Sequence, residues 1–127
     1  MEQVLSVLQI DDYDTAVDFY VSRLGFEILM EARHEPGFPV FMIIQKGDLR
    51  LALSEHGRGH PGSEVYVYVD DIDAWHQRCL ANQISPTQPP TAMYWGNTEM
   101  LVTDPSRNAL RFSQTDTHEG ESTPNKP

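Results

Sequence analysis

The sequence has little of three features: cysteine, basic residues and long apolar runs. The single cysteine, Cys79, cannot form an internal disulfide or supply the thiol cluster of a structural zinc site. No apolar run approaches the ~18 residues of a membrane-spanning helix. The N-terminus, MEQVLSV, also lacks the basic and apolar regions of a secretory signal. These absences predict a soluble, cytoplasmic protein with no membrane partner.

Positive charge is scarce, because 9 Lys and Arg stand against 19 Asp and Glu, for a net charge of -10. Such a surface repels the phosphate backbone that dominates nucleic-acid affinity, so we expect no nucleic-acid partner. An acidic surface also raises the local concentration of cationic ligands, although solubility alone is the favoured explanation of this charge. The length of 127 residues suits one domain with one core.

The chain repeats one pattern of elements. A strand pattern at 4–10 runs into the helix-capping sequence DDYD, an amphipathic helix and three further strand patterns. After the loop HGRGHPGS the pattern restarts at EVYVYVDDID. An offset of 59 residues superimposes 10–14 on 69–73 and also 51–54 on 110–113. We infer a duplication, with modules at about 4–55 and 63–114 in a single domain at 1–114, and a disordered tail at 115–127.

Short motifs accompany the duplication: A-x-x-F-Y before R-L-G-F, and a late W-G-x-T followed by a D-P turn. The matching residues are Ala16, Phe19, Tyr20, Arg23, Leu24, Gly25, Phe26, Trp95, Gly96, Asn97, Thr98, Asp104, Pro105 and Asn108. Together they resemble the vicinal oxygen chelate superfamily of glyoxalases, bleomycin resistance proteins and extradiol dioxygenases, closest in type to the bleomycin resistance proteins. The resemblance covers about residues 4–114.

This resemblance implies an α+β fold in which two βαβββ modules form a half-open cavity of mixed sheets, often across a dimer interface. One residue departs from the family pattern: Arg107 stands in a turn where the family commonly has glycine. We expect Asn108 to relieve the strain by taking a left-handed conformation. Whether the modules pair within a chain or between two chains stays open.

Side chains alternate between the two faces of a strand, which sorts the residues of the fifth and last strands. The faces expected under the helices carry Val65, Val67, Val69, Leu110 and Phe112. The faces expected toward the cavity carry Glu64, Tyr66, Tyr68, Ala109, Arg111 and Ser113. We therefore predict that Glu64 and Arg111 approach each other; the alternative is a solvent-facing arginine beside an unrelated glutamate.

Enzymes of the superfamily usually hold a divalent metal with one side chain from each of four strands. The resemblance places those positions at Leu5, Ala52, Glu64 and Arg111. Only Glu64 offers a suitable oxygen, and the charge of Arg111 repels a cation. We expect no metal and no other cofactor.

Two further groups of residues have a simpler interpretation. Glu55, His56 and His60 could offer metal ligands if their segment were helical, but the glycines and proline around them favour a solvated linker. Cys79 falls on the apolar stripe of the second helix, without a nearby His/Asp signature, and is expected to be a small buried hydrophobe.

Aromatic residues favour a flat ligand that stacks. The expected ligand-contact residues are Met30, Phe38, Phe41, Glu64, Tyr66, Tyr68, Trp95 and Arg111. Phe38 and Phe41, both assigned to the third strand, are equally compatible with core packing. In the family, the equivalents of Phe41, Tyr66 and Trp95 face the drug, whereas Met30 is smaller than the aromatic side chain of some members.

These features predict a non-catalytic binding protein of the bleomycin-resistance type. Such a protein would be a homodimer that sequesters a cationic, partly aromatic antibiotic in crevices at its interface. Two alternatives stay open. One is a lyase or isomerase of the same superfamily that uses Glu64 as a general base without a metal. The other is a binder of a different metabolite, or a regulatory dimer.

Overall fold

Two four-stranded mixed sheets and two helices make up the computed structural model of this chain, which describes residues 2–57 and 62–116. In chain order the elements are β1 (Val7–Gln9), α1 (Tyr13–Val17) with a π-helical continuation (Asp18–Arg23), β2 (Glu27–Ala32), β3 (Phe41–Lys46), β4 (Leu49–Ser54), β5 (Glu64–Tyr68), α2 (Ile72–Ala81), β6 (Gln88–Ala92), β7 (Asn97–Thr103) and β8 (Ala109–Thr115). The predicted α+β fold with two βαβββ modules is confirmed. β8 continues one residue past the predicted boundary at 114. His60 and residues 117–127 of the tail lie outside the described residues.

The two sheets have the same topology and the same register. The strand orders are β1-β4-β3-β2 and β5-β8-β7-β6, with one parallel pair in each sheet, β1 with β4 and β5 with β8. In the first sheet Val7 pairs with Ala52, and in the second Tyr66 pairs with Arg111. Both pairs obey the 59-residue offset read from the sequence, so the duplication extends to the hydrogen-bonding partners of the strands.

Both helices begin at an aspartate that the repeat places in equivalent positions. The side chain of Asp12 accepts a 3.0 Å hydrogen bond from the amide of Thr15. The side chain of Asp71 accepts one of 3.1 Å from the amide of Ala74. Each bond satisfies an amide that has no partner within the helix, which fixes where the helix starts.

The first helix widens after Val17 into a π-helical turn that apolar periodicity does not predict. The amide of Leu24 donates to the carbonyl of Phe19, five residues earlier, across 3.0 Å. Phe19 and Tyr20, neighbours in sequence, are both buried. Gly25 ends the segment at a φ of +93°, which glycine adopts without strain. No helix in the described residues is long and apolar enough to cross a membrane.

One core lies between the modules, built from the helix-facing sides of both sheets. The ring of Trp75 on α2 packs 4.8 Å from that of Phe112 and 6.3 Å from that of Phe26, which joins the second module to the first. Cys79 is buried in this core, as predicted, and its burial raises the pKa of the thiol. The largest fully buried apolar side chains are Tyr20, Phe112, Leu8, Ile10, Leu24, Met42, Ile44, Leu53, Met100 and Leu110.

The turn before β8 ties the modules together. The Asp104 carboxylate accepts hydrogen bonds from the backbone amides of Ser106 and Asn108 and from the Asn108 side chain. The side chain of Asn108 also donates to the carbonyl of Gln9 in the first module, across 2.8 Å. Arg107 itself takes the left-handed conformation, at a φ of 71°. The expectation for Asn108 was therefore wrong, because its carbonyl already accepts from the Asp104 amide on the strand side of the turn.

Candidate ligand-binding face

Each sheet has a second face that points away from the shared core, which we call its open face. Strand pairing and alternation put Val7, Met30, Phe41, Ile43, Ala52 and Ser54 on the open face of the first sheet. The open face of the second sheet carries Glu64, Tyr66, Tyr68, Glu99, Leu101, Arg111 and Ser113. Val67, Leu110 and Phe112 are buried on the opposite side, so the predicted sorting of β5 and β8 is confirmed.

Glu64 and Arg111 meet on the second open face. Arg111 Nε donates to Glu64 Oε2 across 2.8 Å, which confirms the predicted approach of the two side chains. The hydrogen bond to Glu64 raises the pKa of the Arg111 guanidinium above its ordinary value, because the bond favours the charged form. The arginine is therefore a fixed positive charge at this site.

Sequence reasoning missed a second carboxylate at this site, Glu99 on β7, which is 0% exposed. Arg111 Nη1 lies 3.8 Å from Glu99 Oε1. Glu99 Oε2 accepts hydrogen bonds from Ser113 Oγ at 3.0 Å and from Trp95 Nε1 at 3.3 Å. One guanidinium thus lies beside two carboxylates, Glu64 and Glu99, which leaves the group one negative charge.

A signal for Glu99 was present in the sequence. Met100 and Val102 alternate with Glu99 and Leu101 along β7, which puts the apolar pair in the core and the glutamate on the open face. The register between β7 and β8 then sets Glu99 opposite Ser113, next to Arg111. That register could not be read from the sequence.

Aromatic rings border the charged group. Tyr66 and Tyr68 are 46% and 64% exposed, and their rings stack with centroids 5.8 Å apart. The guanidinium of Arg111 lies 5.9 Å from the Tyr66 ring, within cation–π range. Desolvation, and then the charge of Glu99, raises the pKa of the Tyr66 phenol. Trp95 is 37% exposed, and its indole nitrogen is held by Glu99.

The remaining predicted contact residues belong to the first module. Met30 and Phe41 lie on the first open face, since Met30 pairs with Ile43 and Phe41 pairs with Ala32 across β2 and β3. Phe38 precedes β3 in a loop and is not on the strand, because Pro39 follows it and cannot donate to a strand ladder. Phe38 is 45% exposed, so core packing does not account for it.

Glu55 is a structural residue, and its predicted place in a solvated linker was wrong. Its Oε2 accepts from the amide of Tyr13 at 2.8 Å, and its Oε1 accepts from the amide of Val40 at 3.0 Å. One carboxylate therefore joins the start of α1 to the end of the β2–β3 loop that carries Phe38. The charge also suits the N-terminal end of a helix.

The side chains at the four family metal positions do not fit a divalent ion. Leu5 and Ala52 offer no ligand atom, and the carboxylate of Glu64 is bonded to a guanidinium. Within residues 2–57 and 62–116, no group of three or more His, Cys, Asp or Glu side chains is arranged to hold a metal.

Comparison with known structures finds the same fold in bleomycin-binding proteins. The bleomycin resistance determinant encoded on transposon Tn5 is 28% identical, with 92% of this chain and 100% of that one covered and a TM-score of 0.76. A bleomycin-binding protein solved in complex with bleomycin is also 28% identical, with 91% and 100% covered and a TM-score of 0.72. TioX from Micromonospora sp. ML1 is 24% identical, with 89% and 99% covered and a TM-score of 0.72, which shows a shared fold.

Sequence comparison gives the family directly. No protein with a curated description matches the chain. The sequence model of one family, described as "Glyoxalase superfamily protein", matches residues 1–121 and so spans both modules. The family predicted from the motifs is thereby confirmed: the chain belongs to the glyoxalase superfamily, which includes the bleomycin resistance proteins.

Proposed function

We propose that this protein is a non-catalytic binding protein that sequesters a cationic, partly aromatic small molecule, as the bleomycin-binding neighbours do. The observation that carries the proposal is the group formed by Glu64, Arg111 and Glu99, bordered by exposed aromatic rings on an open sheet face. All eight predicted contact residues enter the proposal as ligand contacts, and the buried Glu99 supports two of them, Arg111 and Trp95.

The charge of the site supports a cationic ligand. Two carboxylates and one guanidinium leave one negative charge, and the chain as a whole carries -10. A cationic group can approach Glu64, whose side chain is 43% exposed, while Glu99 holds Arg111 from behind. The field of the acidic surface adds long-range attraction, which raises the rate of association.

The aromatic residues support a flat ligand. Tyr66 and Tyr68 stack on each other and stay 46% and 64% exposed. Trp95 has its indole fixed by a hydrogen bond to Glu99. A fixed ring binds with less loss of side-chain entropy than a free one. Each stacked ring contributes about 0.5 to 1.5 kcal/mol beyond the burial of its area.

We further propose that two copies form a homodimer, in which the open face of the first sheet of one chain meets that of the second sheet of its partner. Exposed apolar and aromatic side chains on both open faces support this arrangement: Val7, Met30, Tyr66 and Tyr68. The dimer would bring Met30 and Phe41 to the same crevice as Tyr66 and Trp95.

Catalysis by Glu64 as a general base has less support. Its Oε2 is already the acceptor of a 2.8 Å bond from Arg111, so that oxygen would have to leave the guanidinium before it could take a proton from a substrate. Binding requires no such exchange.

The test is a titration with bleomycin, followed by calorimetry and by tryptophan fluorescence, with and without a chelator. We expect saturable binding of two drug molecules per dimer, unchanged by the chelator. Trp95→Phe should weaken binding and should remove most of the fluorescence change, because the other tryptophan, Trp75, packs against Phe26 and Phe112 and is not on the proposed ligand face. Tyr94→Phe is the matched control, since Tyr94 is 95% exposed beside Trp95.

Three results would contradict the proposal. They are no binding at about 50 µM drug, where a ligand of micromolar affinity would be bound, equal affinity in wild type and Glu64→Gln/Glu99→Gln, and turnover of a hemithioacetal. Sedimentation equilibrium over a range of protein concentrations checks the dimer separately.

A further inference from the structure

A cleft of about 640 Å³ opens between the two modules, beside the β3–β4 turn and the start of α2. This volume lies within the range of about 300 to 1,000 Å³ usual for ligand pockets. Lys46 and Leu49 border it from the first module, and Trp75 and Arg78 border it from α2. The cleft borders the open face of the second sheet only at Tyr68, and it includes none of the carboxylates of the proposed ligand site.

Two cations of this cleft have no carboxylate partner in the described parts of the chain. Four other arginines of the same ranges form ion pairs: Arg23, Arg33, Arg107 and Arg111. Lys46 instead places Nζ 5.4 Å from the centre of the Trp75 ring. Arg78 donates Nε to the carbonyl of Arg23 across 3.1 Å. The chain has 19 acidic and only 9 basic residues. Two cations without a carboxylate partner at one cleft are therefore available to bind an anion.

Two contacts hold the Arg78 guanidinium in place beside the cleft. A side chain at Gly25 would meet the Arg78 guanidinium at 2.7 Å, so the guanidinium lies directly against the glycine backbone. With the bond to the Arg23 carbonyl, this packing fixes the group at the wall of the cleft. A fixed cation costs less side-chain entropy on binding than a mobile one.

We propose that this cleft binds a flat organic monoanion, such as an aromatic carboxylate. The carboxylate would pair with Lys46 and Arg78, and the ring would lie against Leu49 and Trp75. The ligand is limited to one negative charge, because three carboxylates, Asp48, Asp70 and Asp71, also border the cleft and repel a polyanion. The helix N-terminus does not supply the anion site, because Asp71 already occupies it.

The probe is 2-naphthoate, titrated into the full chain and followed by amide chemical shifts. We expect binding with a dissociation constant below about 1 mM, with shifts centred on Lys46, Trp75 and Arg78. Neutral 2-naphthamide and the dianion 2,6-naphthalenedicarboxylate should both bind more weakly. Lys46→Met should weaken 2-naphthoate binding about tenfold, as expected for the loss of one charge-assisted contact.

Two variants keep the test decisive if Lys46→Met folds poorly. Asp70→Asn removes a rim carboxylate and should tighten 2-naphthoate binding. Arg50→Gln is the matched control: Arg50 is also without an ion pair in the described residues but donates to Gln45 and lies outside this cleft, so affinity should not change. Trp95→Phe should also leave it unchanged, which separates this site from the proposed drug site.

The proposal is overturned by any of three outcomes. These are no saturable shifts with 2-naphthoate, equal affinity for the acid and the amide, or shifts centred on Tyr66 and Trp95. A failed bleomycin titration would not bear on the cleft, and a failed 2-naphthoate titration would not bear on the drug site.

Discussion

The hydroxyl of Tyr20 donates a buried 2.6 Å hydrogen bond to Asp104, 84 residues away in the sequence. The bond connects the first helix to the turn before the last strand, and so connects the two modules. Burial, and then the charge and the hydrogen bond of Asp104, holds the pKa of the phenol well above its usual 10.0. Two consequences can be measured, one at neutral and one at alkaline pH.

At neutral pH, Tyr20→Phe should lower the free energy of unfolding by about 1 to 2 kcal/mol, the cost of removing one partner of a buried hydrogen bond. Asp104 keeps three other donors, which limits the loss. Urea denaturation measures the change. Tyr94→Phe, which removes a hydroxyl from a 95% exposed residue, should have no effect.

At alkaline pH, the contribution of Tyr20 should disappear. Its folded pKa is raised, so both states are protonated well below pH 10.0, the pKa of the unfolded chain, and the contribution is fully present there. Above that pH the unfolded chain releases the proton while the native chain keeps it, so stability falls. The stability gap between wild type and Tyr20→Phe should narrow between about pH 9 and 11; a constant gap would contradict the assignment.

Replacement of Arg111 should lower the stability of the protein, because it leaves the buried carboxylate of Glu99 without a neighbouring cation. Arg111→Met leaves Glu99 with its three donors, Ser113, Trp95 and Tyr66, but without a cation. We expect a loss of about 2 kcal/mol in unfolding free energy. Adding Glu99→Gln removes the uncompensated charge and should recover part of that loss. Denaturation of the two single variants and the double variant measures the coupling, and additive effects would argue against it.

Arg107→Gly should stabilise the protein. The left-handed φ of 71° costs a side-chain-bearing residue about 1 to 2 kcal/mol and costs glycine nothing, although glycine loses more chain entropy on folding. We expect a net gain of about 0.5 to 1 kcal/mol in thermal or urea denaturation. Arg107→Ala is the control, because it removes the exposed ion pair with Asp11 but keeps the strained backbone. An equal response of both variants would mean that the ion pair, and not φ, controls stability.

Glu55→Ala should loosen the loop between β2 and β3. It leaves two amides, those of Tyr13 and Val40, without their acceptor and should cost about 1 to 2 kcal/mol. Tryptic cleavage after Arg33, within that loop, should become faster. Glu35→Ala removes the same charge, from the β2–β3 loop itself, and leaves both bonds of Glu55 intact, so its cleavage rate should match wild type.

Most of the fold could be predicted because it depends on patterns that lie close together in sequence. The alternation of side chains predicted correctly which residues of β5 and β8 face the core. The repeated aspartates predicted where both helices start. The π-helical turn was missed because it depends on how Phe19 and Tyr20 enter the core, which apolar spacing does not express. The conformation of Arg107 was missed for a similar reason, since the hydrogen bonds of the whole turn determine it.

For the candidate site, the sequence could predict only which face of a strand each side chain takes, and not which residues of neighbouring strands lie side by side. The meeting of Glu64 and Arg111 followed from alternation and the 59-residue offset. Glu99 depended on the register of β7 against β8, and the role of Glu55 depended on contacts with residues 42 and 15 positions away. Phe38 lies before β3 and not on it, because Pro39 has no amide hydrogen to donate to a strand partner.

The two sheets share one register but differ at equivalent positions. Where the first sheet has Val7, Ala52 and Phe41, the second has Tyr66, Arg111 and Glu99. The backbone pairing of the strands is thus the same in both sheets, although the side chains on the open faces differ. A few substitutions can therefore change the side chains of either open face while the strand pairing stays the same. The duplicated module can in this way acquire a different ligand specificity without a change of fold.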